Sequence, residues 1–73
     1  MTTYKQAQKL LSPGDEVFCI HGSRVIPAVI KAIKKDRLVT NLDALYYDEH
    51  GYMWFLTKVE AERYVREEGN DNG

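Results

Sequence analysis

A chain of 73 residues with a net charge of −1 and 44% hydrophobic residues has room for one domain, and a domain of that size buries only roughly 60% of the surface its unfolded form exposes. A shallow core and a thin stability margin follow, which speaks against a deep catalytic cleft and against an enzyme. Both charge signs and many Val, Ile, Leu and Tyr residues speak against disorder, and the single cysteine, Cys19, has no internal disulfide partner, so a reducing, cytoplasmic setting is expected.

The opening residues, MTTYKQAQKLL, lack the basic segment and long apolar run of an export signal, and no apolar stretch approaches the ~18 residues of a membrane span, so neither secretion nor membrane spanning is expected. They read as a short helix. Thr3 caps it, Gln6 completes a capping box, and Tyr4, Ala7, Leu10 and Leu11 recur at helical spacing on one face. Ser12, Pro13 and Gly14 stop it. DEVFCI, residues 15 to 20, is a β-favouring run that ends in a polar turn, His21-Gly22-Ser23-Arg24, and within it Cys19 reads as a small buried hydrophobe.

VIPAVIKAI, residues 25 to 33, admits two readings. Pro27 could open a helix with Val29, Ile30 and Ile33 on its apolar face, but the density of β-branched residues favours a strand with Pro27 near its beginning or on an edge. Lys34-Lys35-Asp36-Arg37 reads as a polar turn, and the short strand after it pairs back on residues 28 to 33. Asn41 to Asp43 form a loop. ALYY, DEHG and YMWFL then predict a hairpin over residues 44 to 56, tied by cross-strand aromatic pairs such as Tyr47 with Tyr52.

The last element starts at a capping box, Thr57-Lys58-Val59-Glu60, with Leu56 and Ala61 as its apolar staple. Lys58 with Glu62, Glu62 with Arg66, and Arg63 with Glu67 stand four apart with opposite signs, and Ala61, Tyr64 and Val65 form the inward stripe. This helix is expected to end near Glu68-Gly69, leaving residues 70 to 73 as a disordered tail and residues 1 to 69 as the single domain.

Five short strands cannot leave long open edges in so small a protein, so the expected fold is mainly β with two flanking helices (α+β), a half-open five-stranded antiparallel barrel. PGDEVF and PAVIKAIKKDRLV, within residues 13 to 40, resemble the opening of Src-homology-3 (SH3)-like small barrels, which implies a binding module. GYMWFLTKVEAE, residues 51 to 62, resembles the ending of short uncharacterised proteins of Firmicutes bacteria and their phages. Phe55, Leu56, Thr57, Glu60, Ala61 and Glu62 carry that resemblance, while Val59 departs from an expected acidic residue. It implies a phage or mobile-element origin, a host cytoplasm as the place of action, and no particular activity.

Few residue sets suggest chemistry. Cys19, His21, Asp48, Glu49 and His50 include metal-binding types, but zinc usually takes four ligands and the Cys-x-x-Cys spacings are missing, so no metal and no cofactor is expected. Ser23 near His21 is proximity in sequence without a third group, and five scattered glycines make no phosphate-cradling loop.

Charge is split along the chain. Residues 1 to 41 hold seven Lys or Arg against three Asp or Glu, +4, and residues 42 to 73 hold three against eight, −5. Such polarity suits a charged partner, contacts within the chain, or self-association as a homodimer.

Two surfaces are candidates for partners. Tyr46, Tyr47, Asp48, Glu49, His50, Tyr52 and Trp54 form an aromatic and acidic hairpin suited to binding a protein, although Trp54 reads equally well as a core anchor. With strand alternation, Tyr52 and Trp54 share one face and Met53 and Phe55 the other. Arg24, Lys31, Lys34, Lys35 and Arg37 form the nucleic-acid candidate, read alternatively as a solvated turn. The leading expectation is a non-enzymatic protein-binding module, an accessory factor acting on a host protein. The alternatives are a nucleic-acid-binding barrel that uses the basic turn, and an inhibitor of a host nucleic-acid-binding defence complex whose acidic half imitates phosphate.

Overall fold

The computed structural model describes residues 2 to 69. In chain order these form α1 (Tyr4–Leu10), β1 (Glu16–His21), β2 (Arg24–Ile33), β3 (Arg37–Thr40), β4 (Ala44–Tyr46), a single 3-10 turn (Tyr47–Glu49), β5 (Trp54–Phe55) and α2 (Lys58–Gly69). The strands make one antiparallel sheet in the order β4-β3-β2-β1-β5, curled into the half-open barrel that the sequence predicts, with a short helix before it and a longer one after.

Each turn has a local cause. His21 pairs with Arg24 around Gly22-Ser23, and Gly22 at φ +65° occupies the first position of a two-residue turn that only glycine adopts without strain. Lys34 N–H donates to Arg37 C=O at 2.8 Å, closing the Lys35-Asp36 turn. The Thr40 hydroxyl donates to Asp43 C=O and accepts from the amides of Leu42 and Asp43, which satisfies a buried side chain and folds Asn41-Leu42 into the next turn.

The ten-residue strand β2 carries the barrel's bend. It pairs with β1 over Arg24 to Val29 and with β3 from Ile30 onward, and a bulge at Lys31 separates Ile30↔Thr40 from Ala32↔Val39. Asn41 holds the junction from both sides, its Oδ1 accepting from Val29 N–H at 2.8 Å and its own N–H donating to Val29 C=O at 3.1 Å. Ile30 N–H donates toward β1, to Asp15 C=O, whereas Val29 faces the opposite side. Alternation therefore turns the Pro27 nitrogen away from β1, onto a stretch of edge that β3 does not reach, and the missing N–H costs no ladder bond. The competing helical reading of this segment is set aside.

Inward-facing Val17, Cys19, Ala28, Ile30, Leu38, Leu45, Tyr47 and Trp54 fill the barrel, with Ala7 of α1 as the plug at one end. The Thr3/Gln6 capping box is complete, and Ala7 is fully buried. Leu10, expected on the same face, is instead 64% exposed. The helix stops there, and Leu11 adopts extended backbone at φ −125°, ψ 156°, which swings its own side chain back onto the core in place of its neighbour.

The largest correction concerns residues 44 to 56. They do not form a hairpin. β4 pairs with β3 and β5 pairs with β1, at opposite margins of the sheet, and the 3-10 turn with the bend at residues 51 to 53 carries the chain across the barrel mouth between them. Tyr47 accordingly stacks on Tyr4 of α1, with ring centroids 6.5 Å apart, and does not pair with Tyr52. The alternation expected for residues 52 to 55 fails for the same reason. Tyr52 and Met53 lie in the bend and are exposed, while Trp54 and Phe55 are both buried because β5 has the barrel core on one face and α2 on the other, where Phe55 meets Tyr64 at 5.3 Å.

At the start of α2, Thr57 Oγ1 accepts from Glu60 N–H at 3.3 Å, and the Glu60 carboxylate accepts from the Thr57 hydroxyl at 2.8 Å rather than from the cap amide. Ala61, Tyr64 and Val65 face inward as expected. Of the three anticipated charge pairs, Lys58 with Glu62 closes, at 3.9 Å. The expected tail over residues 70 to 73 lies outside the described residues. Among those residues, no helix is long and apolar enough to cross a membrane.

Candidate functional site

The path of residues 47 to 53 across the barrel mouth divides the expected aromatic surface in two. Tyr47, His50 and Trp54 go inward. Trp54 is fully buried and donates from Nε1 to Tyr46 C=O at 2.7 Å, and the Tyr47 hydroxyl donates to Lys34 C=O. The His50 ring lies against Trp54, centroids 4.7 Å apart, and its Nδ1 is 2.7 Å from Thr2 Oγ1. Burial lowers the pKa of His50 below its ordinary value of 6.5, only partly opposed by the Glu60 carboxylate, so the neutral ring is favoured in this niche. These three residues fasten the last strand and the N-terminal segment to the barrel.

Tyr46, Asp48, Glu49 and Tyr52 stay at the surface or near it, and Tyr46 and Glu49, with Met53, border a seam that the sheet leaves open between β4 and β1. Tyr46, Tyr52 and Met53 are 43%, 49% and 44% exposed, which is half-open contact area on a fixed frame. A cleft of about 290 Å³ lies in this seam, with Cys19, Ile20 and His21 of β1 on one side, Asp43 to Tyr46 on the other, and Glu49 and Met53 across its end. Asp48 and Tyr52 do not line it.

The lining is acidic and contains no Lys or Arg. His21 Nε2 is 3.6 Å from Asp43 Oδ2, beyond hydrogen-bond range, and Glu49 Oε1 accepts from Tyr46 N–H at 3.3 Å. Cys19 is 2% exposed at the floor, and burial, reinforced by the Asp43 charge, pushes its thiol pKa up, so the thiolate is disfavoured and the residue serves as a packed hydrophobe. Among the described residues no three His, Cys, Asp or Glu side chains are grouped so as to hold a metal ion. Ser23 lies in the β1–β2 turn, where it lines a trough against α2.

That trough, lined by Ser23, Val25, Lys58, Glu62, Val65 and Arg66, is larger at about 610 Å³. It is nearly open to solvent, and its charges of both signs include the Lys58–Glu62 pair, so it offers a ligand little that water does not. The seam cleft has the better-defined chemistry.

Of the basic candidates Arg24 is remote, while Lys34, Lys35 and Arg37 share the β2–β3 turn. Arg24 begins β2 and Lys34 follows its end, so at ~3.3 Å per residue they lie up to roughly 30 Å apart along the strand. Lys31 projects from the bulge, and Arg37 Nη1 is 2.7 Å from Asp36 Oδ1. Lys34 and Lys35 remain adjacent at an exposed turn. Arg24, at the far end of β2, stands apart from the other four.

Sequence reasoning missed Asp43, Leu45 and Met53 as cleft residues, and with them the wall formed by β1. The signal that could have found them is closure of the sheet. A final strand of only two residues cannot pair with both neighbours, and pairing it with β1 brings Met53 alongside Ile20, whose N–H donates to Met53 C=O at 2.9 Å. Comparison with family models, with curated proteins and with solved structures finds no match for this chain.

Proposed function

We propose that this chain is a non-enzymatic protein-binding module whose contact surface is the open seam between β4 and β1, with Tyr46, Glu49, Tyr52 and Met53 as its principal side chains. The observation that carries the reading is the exposure of two tyrosines and a methionine around an acidic cleft, on a frame held by the buried Trp54 anchor. Aromatic and methionine side chains fixed in this way give contact area at low entropic cost, as in the central parts of protein interfaces. The raised thiol pKa of Cys19 lends no support to nucleophilic chemistry, and in the basic turn Arg37 is already paired with Asp36. The resemblance of residues 51 to 62 to phage and Firmicutes proteins supports a bacterial host protein as the target.

The test is capture from a bacterial lysate, with and without nuclease, by the wild-type chain and by two variants of unchanged circular dichroism. Tyr46→Ser/Tyr52→Ser/Met53→Ser removes the seam surface, and Lys34→Glu/Lys35→Glu reverses the basic turn. The expected result is a nuclease-resistant protein partner retained by the charge-reversed variant and lost by the seam variant. Capture that survives the seam changes, or that depends on nucleic acid, overturns the reading.

A further inference from the structure

The seam is open in backbone terms as well as in volume. Thr40 N–H donates to Asp43 C=O, so in the β3–β4 ladder residue 45 bonds inward to residue 38, and the N–H and C=O groups of Ala44 and Tyr46 point outward from the sheet edge. Those of Tyr46 are occupied, the N–H by Glu49 and the C=O by Trp54, which shows that this outward side is the seam. Those of Ala44 meet no strand among the described residues, and Ala44 lines the cleft. On the opposite wall, Ile20 N–H is bonded to Met53 C=O, but Met53 N–H is turned to Glu49 C=O, so Ile20 C=O lacks its return bond from that strand. Among the described residues the barrel thus presents a backbone donor and acceptor that meet no strand on one wall, and on the other an acceptor without its return bond from Met53.

From this geometry we infer that the seam receives a short extended segment of a partner protein, paired to Ala44 as an added strand and placing one Lys or Arg side chain between Glu49 and Asp43. The inference rests on the protein-binding reading and adds the chemistry of the partner. Charge complementarity selects the cation. Two carboxylates and no Lys or Arg line the cleft, the Asp43 carboxylate lies 3.6 Å from the one imidazole there, His21, without a hydrogen bond to it, and the second oxygen of Glu49 accepts no hydrogen bond from the described residues. Leu45, Ile20 and Met53 supply apolar surface for the aliphatic stem. The volume, about 290 Å³, stands at the lower limit of the roughly 300–1,000 Å³ typical of small-molecule pockets, and suits one long side chain with its backbone. Strand addition supplies affinity through main-chain bonds, while the acidic pair supplies selectivity.

The experiment is an amide NMR titration of the full chain with a capped, β-favouring nonapeptide carrying one central Lys, together with its Arg, norleucine and Glu counterparts. The expected result is saturable shifts centred on Ala44, Leu45, Glu49 and Ile20 for the Lys and Arg peptides, weakening as ionic strength rises from about 0.05 M to about 0.5 M. Glu49→Gln, which keeps the acceptor for Tyr46 N–H, and Asp43→Asn each weaken binding about fivefold, the loss of one partly exposed ion pair. Equal binding of the norleucine peptide overturns the cation and leaves the protein-binding reading standing. Shifts in these amides on raising protein concentration alone identify a second copy as the occupant and overturn the inference. No shift with any peptide overturns it as well, while the lysate capture decides the broader reading independently.

Discussion

Two sets of tyrosines in one short stretch meet opposite fates. Tyr47 lies inside with its hydroxyl bonded to a backbone carbonyl and its ring stacked on Tyr4, and neighbouring His50 and Trp54 likewise have each inward polar group matched, to Thr2 and to Tyr46 C=O. Tyr46 and Tyr52 are about half exposed beside a seam whose backbone and carboxylates are incompletely matched. Aromatic content alone therefore does not distinguish an anchor from a contact surface. What distinguishes them is whether the polar tip finds a partner inside the fold.

Loss of the Trp54 anchor should cost the most stability. Trp54→Ala deletes the largest fully buried side chain and its bond to Tyr46, a change that typically costs about 3–5 kcal/mol. A domain of this size has little more than that in reserve, so the variant is expected to be largely unfolded in water, as read by near-ultraviolet circular dichroism. A cooperative urea transition close to that of wild type would show that Trp54 does not hold β5 to the barrel.

Tyr47→Phe is milder. It keeps the stacking on Tyr4 and removes only the hydroxyl that donates to Lys34 C=O, for an expected loss of about 1 kcal/mol of unfolding free energy, read as a lower urea midpoint. No change would mean that Lys34 C=O is as well served by water.

His50 makes the anchored side sensitive to pH. Its pKa in the folded chain lies below the 6.5 of the unfolded chain because burial against Trp54 disfavours the charged ring. The unfolded chain therefore binds the proton first, and the contribution is fully present above pH 6.5, declining as pH falls from there through the lower folded value. His50→Gln should flatten that part of the stability profile relative to wild type. An unchanged slope would assign the pH dependence to other groups.

Much of the frame is legible in the residues themselves. The Thr3 and Thr57 caps, the Gly22 turn and the β-branched run of β2 are set by local chemistry, and each forms where the sequence predicts it. Residues 44 to 56 were not legible in the same way, because alternating aromatics suit a hairpin locally and only closure of the barrel decides otherwise. Pairing β5 with β1 satisfies strand edges at long range, and the 3-10 turn at residues 47 to 49 is the consequence. The seam inherits that difficulty. Tyr46, Glu49 and Tyr52 could be named from residue type, whereas Asp43, Ala44 and Ile20 join them only through the register of strands distant in sequence.

On the exposed side, the Tyr52 ring should matter least to stability. Tyr52→Ser removes an aromatic ring that is 49% exposed in the bend before β5 and makes none of the hydrogen bonds that fasten Tyr47 or Trp54. Its backbone N–H, bonded to Glu49 C=O at 3.3 Å, is untouched by the change. Stability should therefore stay within about 0.5 kcal/mol of wild type, as for surface substitutions in general, while capture of a partner falls. A loss comparable to that of Tyr47→Phe would show that the Tyr52 ring packs on the bend and belongs with the anchor, and the seam surface would then shrink to Tyr46, Glu49 and Met53.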